Sequence, residues 1–237
     1  MNTDNYRNYY SQGGDSAALD TRVTSIMKRV YVKMFLGLII TAFTAYFASQ
    51  SQAVLNLYTS TSWAPWILLI VEVGLVIAIS GAINKMSSST ATLLFLLFSV
   101  VNGLALFPIF MIYTETSIYK TFFIAAAVFG AMSVYGFFTT QNLAKWGSIL
   151  FMALIGLIIC AVINWFLHST TMELIISGAG VLIFIGLTAW DTQQIKNMAM
   201  MAPDESVGKL ATIGALNLYL DFINLFLYLL RFFGDRD

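Results

Sequence analysis

Three carboxylates stand in stretches of chain too apolar for them. Glu72, Asp191 and Asp221 each fall inside a run long and greasy enough to cross a bilayer. An ionised group there costs about 2.5–3.5 kcal/mol on insertion scales, so it calls for a partner, water or a proton. Asp221 is the deepest, about ten residues from either end of its run. Gly214, Asn217, Asp221, Asn224, Tyr228 and Arg231 follow one another at spacings of three or four, which sets them on one helical stripe. A polar stripe on a helix otherwise rich in Leu and Phe must face protein or a wet cavity. Interhelical packing alone would be served by an amide without the cost of a charge. The stripe therefore reads as an ion path or relay through Asn217, Asn224 and Arg231, with Glu72 as a further member.

Asp191 lies in Gly186-Leu-Thr-Ala-Trp-Asp-Thr-Gln-Gln-Ile-Lys196. Alone it suits an interfacial helix end as well as a buried site. With its run drawn to Gln193, Asp191 is shallower than Asp221 by roughly 10 Å at about 1.5 Å per residue. Nothing breaks a helix before Pro203, so the spacing predicts a helix continuing through Met200, which closes the gap. Two carboxylates meeting there cannot both ionise freely and would share a proton. That is a proton sensor. Fully ionised, Asp191 and Asp221 would form a hard-oxygen site suited to Ca²⁺. Glu72, six residues into its run, is a third ligand, a relay, or a side chain reaching for the interface.

Other chemistry finds little support. Cys160 is the single cysteine, so no internal disulfide forms, and it reads as a small hydrophobe. His168 is the single histidine, at the end of an apolar run, which suits a solvated position better than a metal or haem site. No Gly-rich phosphate loop is present. The 237 residues carry twelve basic and twelve acidic side chains, 10% charged in all, and 59% are hydrophobic. Zero net charge leaves nothing to attract nucleic acid, and so few charges cannot keep such a chain dispersed in water. The fold class expected is an all-α membrane protein.

Seven runs have the roughly 20 apolar residues that a crossing needs. They are Val30–Ala48, Trp66–Ile83, Ala91–Tyr113, Tyr119–Thr139, Trp146–Phe166, Leu174–Gln193 and Ala211–Phe233. Residues 1–29 read as a disordered, juxtamembrane cytoplasmic tail, with Tyr6, Tyr9 and Tyr10 scattered in it, and 30–237 as the membrane domain. With the N-terminus inside, inner segments hold nine Lys and Arg (Arg7, Arg22, Lys28, Arg29, Lys33, Lys85, Lys145, Lys196 and Lys209) against three outside (Lys120, Arg231 and Arg236). That bias sets the expected orientation. Seven full crossings put the C-terminus outside, and a last run that only dips in keeps it inside. Trp63, Trp66, Trp146, Trp165 and Trp190 fall near run ends, where the headgroup zone favours them. Ala126, Gly130, Ser133 and Gly136 make a small-residue strip for close helix packing.

The Gly186–Lys196 segment and Gly214-Ala-Leu-Asn-Leu-Tyr-Leu-Asp-Phe-Ile-Asn-Leu-Phe-Leu-Tyr-Leu-Leu-Arg231 closely resemble the two terminal motifs of the Bax inhibitor-1 family. Phe129-Gly-Ala-Met-Ser-Val-Tyr-Gly136 and Met152-Ala-Leu-Ile-Gly156 add to the likeness, which covers the chain from about Tyr31 onward and is nearest to bacterial inner-membrane members. One departure is Trp190, where many relatives have Tyr. The resemblance implies a seven-helix bundle with the last helix central. It implies a non-enzymatic, pH-sensitive Ca²⁺ leak, governed by hydrogen-bonded aspartates at the positions of Asp191 and Asp221. No tightly bound cofactor is implied, only lipid, protons and Ca²⁺ as permeant or transient ion. The structurally known type latches one aspartate with a cation from an early helix. This chain has no Arg between Val30 and Leu230, so Lys85 or Arg231 would have to serve, or the latch is absent. Some bacterial relatives resemble modulators of a membrane-bound ATP-dependent protease, with residues 1–20 as the contact here. Paired aspartates also occur in intramembrane aspartyl proteases, but the Leu-Tyr-Leu-Asp around Asp221 lacks that family's glycine, and its Pro-Ala-Leu motif is missing.

Overall fold

A computed structural model describes the chain from 3 to 235, with side chains from 18 onward. Among the described residues every regular element is helical: α1 (Thr3–Gln50), α2 (Gln52–Ser60), α3 (Ala64–Ala82), α4 (Ser88–Leu106), α5 (Ile109–Ile112), α6 (Glu115–Phe138), α7 (Ala144–Leu167), α8 (Thr170–Met201) and α9 (Val207–Phe233). Seven of these stretches are long and apolar enough to cross a membrane. The molecule is an all-α membrane protein.

Local chemistry sets the boundaries. Ser87, Thr114 and Ser169 cap α4, α6 and α8, their side chains accepting from the backbone N–H groups of Thr90, Ser117 and Met172. Pro108 interrupts the third apolar run, which becomes α4 followed by the single turn of α5. Helix α8 runs past Gln193 and stops at Met201, ahead of Pro203.

Two boundaries differ from the sequence reading. No break separates a tail ending at residue 29 from the membrane domain, because α1 is continuous from Thr3 to Gln50. Val23, Ile26, Met27 and Val30 recur at helical spacing and are all buried, so the stripe that packs α1 begins before the purely apolar stretch does. The Tyr6, Tyr9 and Tyr10 side chains lie outside those described. Trp190 does not lie at a helix end. With α8 extended to Met201 it sits well inside the helix, against Gly147 of α7, where a Cβ would strike its indole.

Helix α9 is the core. Of its most apolar window 67% is buried, against 6% for α7. It packs on α1, α4, α6 and α8, while α3 leans on α4 and α7 on α8. The arrangement is thus layered around the last helix rather than a uniform ring of six. Leu216, Leu218, Tyr219, Leu225 and Leu230 of α9 are wholly enclosed. The helix runs the full height of the bundle. Its start lies beside Arg22 and Asp204, and its end, at Asp235, donates its backbone N–H to the Ser117 hydroxyl at the start of α6. The last run therefore spans the bundle from end to end, and Asp235 lies at the end opposite Arg22.

The small-residue strip of α6 divides its work. Gly136 is pressed against the Ala189 backbone of α8, 2.9 Å from Ala189 Cα to where a Cβ would sit, so only glycine permits that approach. Ala126, Gly130 and Ser133 instead line an open apolar groove of about 550 Å³ between α1, α6 and α9.

Candidate functional site

The extension of α8 and the central place of α9 bring Asp191 and Asp221 together. The Asp191 carboxyl lies within hydrogen-bonding reach of the Asp221 carboxyl and of Asn217, one turn earlier on α9. Asp221 is buried at 4% exposure, and its Oδ2 has no hydrogen-bond partner. Asp191 is half-buried. Two carboxyls at hydrogen-bonding range hold either a shared proton or mutual repulsion. Two carboxylates and one amide oxygen fall below the about six to eight oxygens that Ca²⁺ takes in a resident site. No group of three or more His, Cys, Asp or Glu side chains fit to hold a metal occurs among the described residues. Water would have to complete the shell of any Ca²⁺ that met the pair.

The rest of the α9 stripe does other work. Asn224 donates to the Leu220 carbonyl of its own helix, 2.8 Å away, which is local back-bonding. Arg231 is exposed, its guanidinium 5.8 Å from the Tyr228 ring centre, near the far end of α9 from its start. Glu72 is not part of the aspartate pair. It accepts from Asn102 Nδ2 at 2.6 Å, on the side of α9 facing α4.

Three features went unread in the sequence. Lys33 of α1 reaches Thr92 Oγ1 (2.8 Å), Thr212 Oγ1 (2.7 Å) and the Gly208 carbonyl (3.3 Å). Its three N–H donors thus tie α1 to α4 and to the first turns of α9. The acceptors of this early-helix cation are neutral oxygens, not Asp191 or Asp221. A lone lysine within an apolar stretch was the available signal. Gln193 accepts from Leu143 N (2.8 Å) and donates to the Gln141 carbonyl (2.7 Å), and Lys196 donates to the Phe137 carbonyl (2.7 Å). These side chains hold the α6–α7 connection against α8, and Lys196 satisfies the Phe137 carbonyl in the last turn of α6. Tyr219, read only as one letter of a motif, hydrogen-bonds both Thr41 and Asn102.

Comparison with known proteins adds one consistent picture. A family model described as Inhibitor of apoptosis-promoting Bax1 matches residues 23–237. An inner membrane protein of Escherichia coli, YbhL, is 44% identical over 213 residues, covering 89% of this chain and 91% of its own. An uncharacterized protein of Borreliella burgdorferi is 48% identical over 212 residues, with the same two coverages. An uncharacterized membrane protein of Streptococcus pyogenes is 34% identical over 220 residues, 92% of this chain and 96% of its own.

Proposed function

This chain belongs to the Bax inhibitor-1 family, and from that premise we propose that it is a pH-sensitive calcium leak in which Asp191 and Asp221 share a gating proton. The observation that carries the reading is the enclosed Asp221 carboxyl, with one oxygen unpartnered and the other group in reach of Asp191. A single proton between the two removes their repulsion and adds a charge-assisted hydrogen bond across α8 and α9. In that state the core helix is held in place and the path is shut. Loss of the proton leaves two negative charges facing one another between those helices. They part or draw in a cation, and a divalent hard cation neutralises both. Because α9 touches four neighbours, a change at this contact is felt through the whole bundle. Ca²⁺ is the transported ion in this reading, and no bond is made or broken.

Asn217 would offer the passing ion a third oxygen. Glu72 and Arg231 lie too far along or around the bundle to act at the same point. YbhL is named an inner membrane protein, and the same membrane, with the basic end of the bundle toward the cytoplasm, is the location proposed here.

The test is Ca²⁺ flux against pH in proteoliposomes, wild type beside Asp191→Asn and Asp221→Asn. An asparagine amide donates to the remaining carboxylate at every pH. Flux in both variants should therefore lose the rise that wild type shows as pH increases. If both variants keep the wild-type pH curve, the shared-proton gate is wrong.

A further inference from the structure

Glu72, Asn102, Tyr219, Thr41 and the Ser99 carbonyl form one unbroken chain of hydrogen-bond contacts through α3, α4, α9 and α1. Asn102 Nδ2 stands 2.6 Å from Glu72 Oε1, and Asn102 Oδ1 stands 2.8 Å from the Tyr219 hydroxyl. The Tyr219 hydroxyl is 2.6 Å from Thr41 Oγ1, which is 2.8 Å from the Ser99 carbonyl oxygen. Thr41, Asn102 and Tyr219 are buried, and the rings of Phe95 and Phe98 stand edge-on to Tyr219 at 5.7 and 5.6 Å.

The chain has four contacts, and each needs one proton. A backbone carbonyl brings none, Thr41 and Tyr219 bring one each, and the Asn102 amide brings an N–H toward only one of its two neighbours. With Glu72 ionised the supply is three. One pair of oxygens at the far end then faces across hydrogen-bond distance with nothing between, a costly arrangement in a site closed to water. With Glu72 protonated the supply is four. The Asn102 amide turns over, which leaves its atoms in the same places. Glu72 then donates to Asn102 Oδ1, Nδ2 to Tyr219, Tyr219 to Thr41, and Thr41 to the Ser99 carbonyl.

We propose that Asn102 and Tyr219 are positioning residues that make Glu72 a proton-binding site, and that its proton completes the bonds holding α9 to α1 and α4. Loss of that proton reverses each bond back to Tyr219 and leaves either Thr41 or Tyr219 facing an acceptor empty-handed. The surroundings supply no competing charge. Glu72 is the one ionisable residue of α3, and α4 has none. On α1 from Met34 to Gln50 the one ionisable side chain is Tyr46, which packs against Phe110. On α2 Tyr58 packs against Phe107. From α9 the facing group is Tyr219 itself, because Asp221 is two residues on and points toward α8. The site is separate from the aspartate pair, and its test needs no ion flux.

Infrared difference spectra of the full-length protein in bilayers, wild type minus Glu72→Gln, isolate the Glu72 carboxyl. At neutral pH a protonated-carboxyl stretch should be present in wild type and absent from Glu72→Gln. Thr41→Val removes the acceptor for Tyr219, so Tyr219 turns to Asn102 Oδ1 and the amide N–H turns to an ionised Glu72. The band at the same pH should fall to roughly half or less, the effect of one net hydrogen bond. Tyr219→Phe should also weaken it, since Asn102 then serves either form of Glu72 equally, and this variant carries the test if Thr41→Val does not fold. No such band in wild type, or an undiminished band in whichever variant folds, overturns the proposal.

Discussion

Gly136 and Gly130 lie six residues apart on the same helix, and the structure assigns opposite outcomes to the same added methyl group. A Cβ at Gly130 meets nothing within 4 Å. Gly130→Ala therefore keeps only the gain in helix propensity, about 0.8–1 kcal/mol. A Cβ at Gly136 would overlap the Ala189 carbonyl and come within 2.9 Å of Ala189 Cα. Those are backbone atoms in the middle of α8, and no rotamer change moves them. Carbon contacts settle near about 3.5–4 Å, so α6 and α8 must separate by roughly 1 Å, which forfeits a quarter to a half of each dispersion contact along the seam. Overpacking of this kind costs about 1–3 kcal/mol, and it outweighs the propensity gain at all but the lower edge of that range. The two variants should differ by about 1–3 kcal/mol, with Gly136→Ala the weaker. Reversible unfolding of purified protein in mixed micelles by a denaturing detergent measures the difference. Gly136→Ala as stable as Gly130→Ala would refute the claim that α6 and α8 meet backbone to backbone. Ala189 is two residues from Asp191, so the same displacement should disturb the carboxylate pair, and Gly136→Ala should alter the pH dependence of flux where Gly130→Ala does not.

The charged contacts at the basic end should rank by burial. Thr212→Val takes from Lys33 one of its three acceptors in a half-buried site, and should cost about 1.5–3 kcal/mol in the same unfolding assay, the range for hydrogen bonds to charged groups. Arg22→Ala breaks the 2.8 Å ion pair with Asp204, whose side chain is 95% exposed, and should cost under about 1 kcal/mol, a difference that shrinks further in high salt.

The spanning elements were legible because a bilayer permits so few solutions. Every apolar run of sufficient length became a helix, since no other open structure satisfies its backbone without water. The reach of α8 to Met201 was legible for the same reason, with Pro203 as the stop. Asp191 and Asp221 stood out because charge is rare and costly in such runs. The periodic stripe on α9 was a weaker guide. Spacing placed Asn217, Asp221, Asn224 and Arg231 on one face, but a helix 27 residues long passes several neighbours, so one face meets different chemistry at each height. Asn217 reached the pair, Asn224 turned back on its own helix, and Arg231 came out at the surface.

The amino-acid order by itself determined which runs are long and apolar enough to cross, where α8 must stop, and which acids need an explanation, because those follow from transfer energies and local backbone chemistry. Partnership was decided only by the tertiary structure. That Lys33 ends on threonine hydroxyls, that Glu72 answers to Tyr219 through Asn102, and that Trp190 lies under Gly147 all depend on which helices are neighbours and how they are turned. Those choices come from packing between surfaces distant in sequence, and in lipid, where apolar faces are nearly interchangeable, close contact and hydrogen bonding settle them rather than hydropathy.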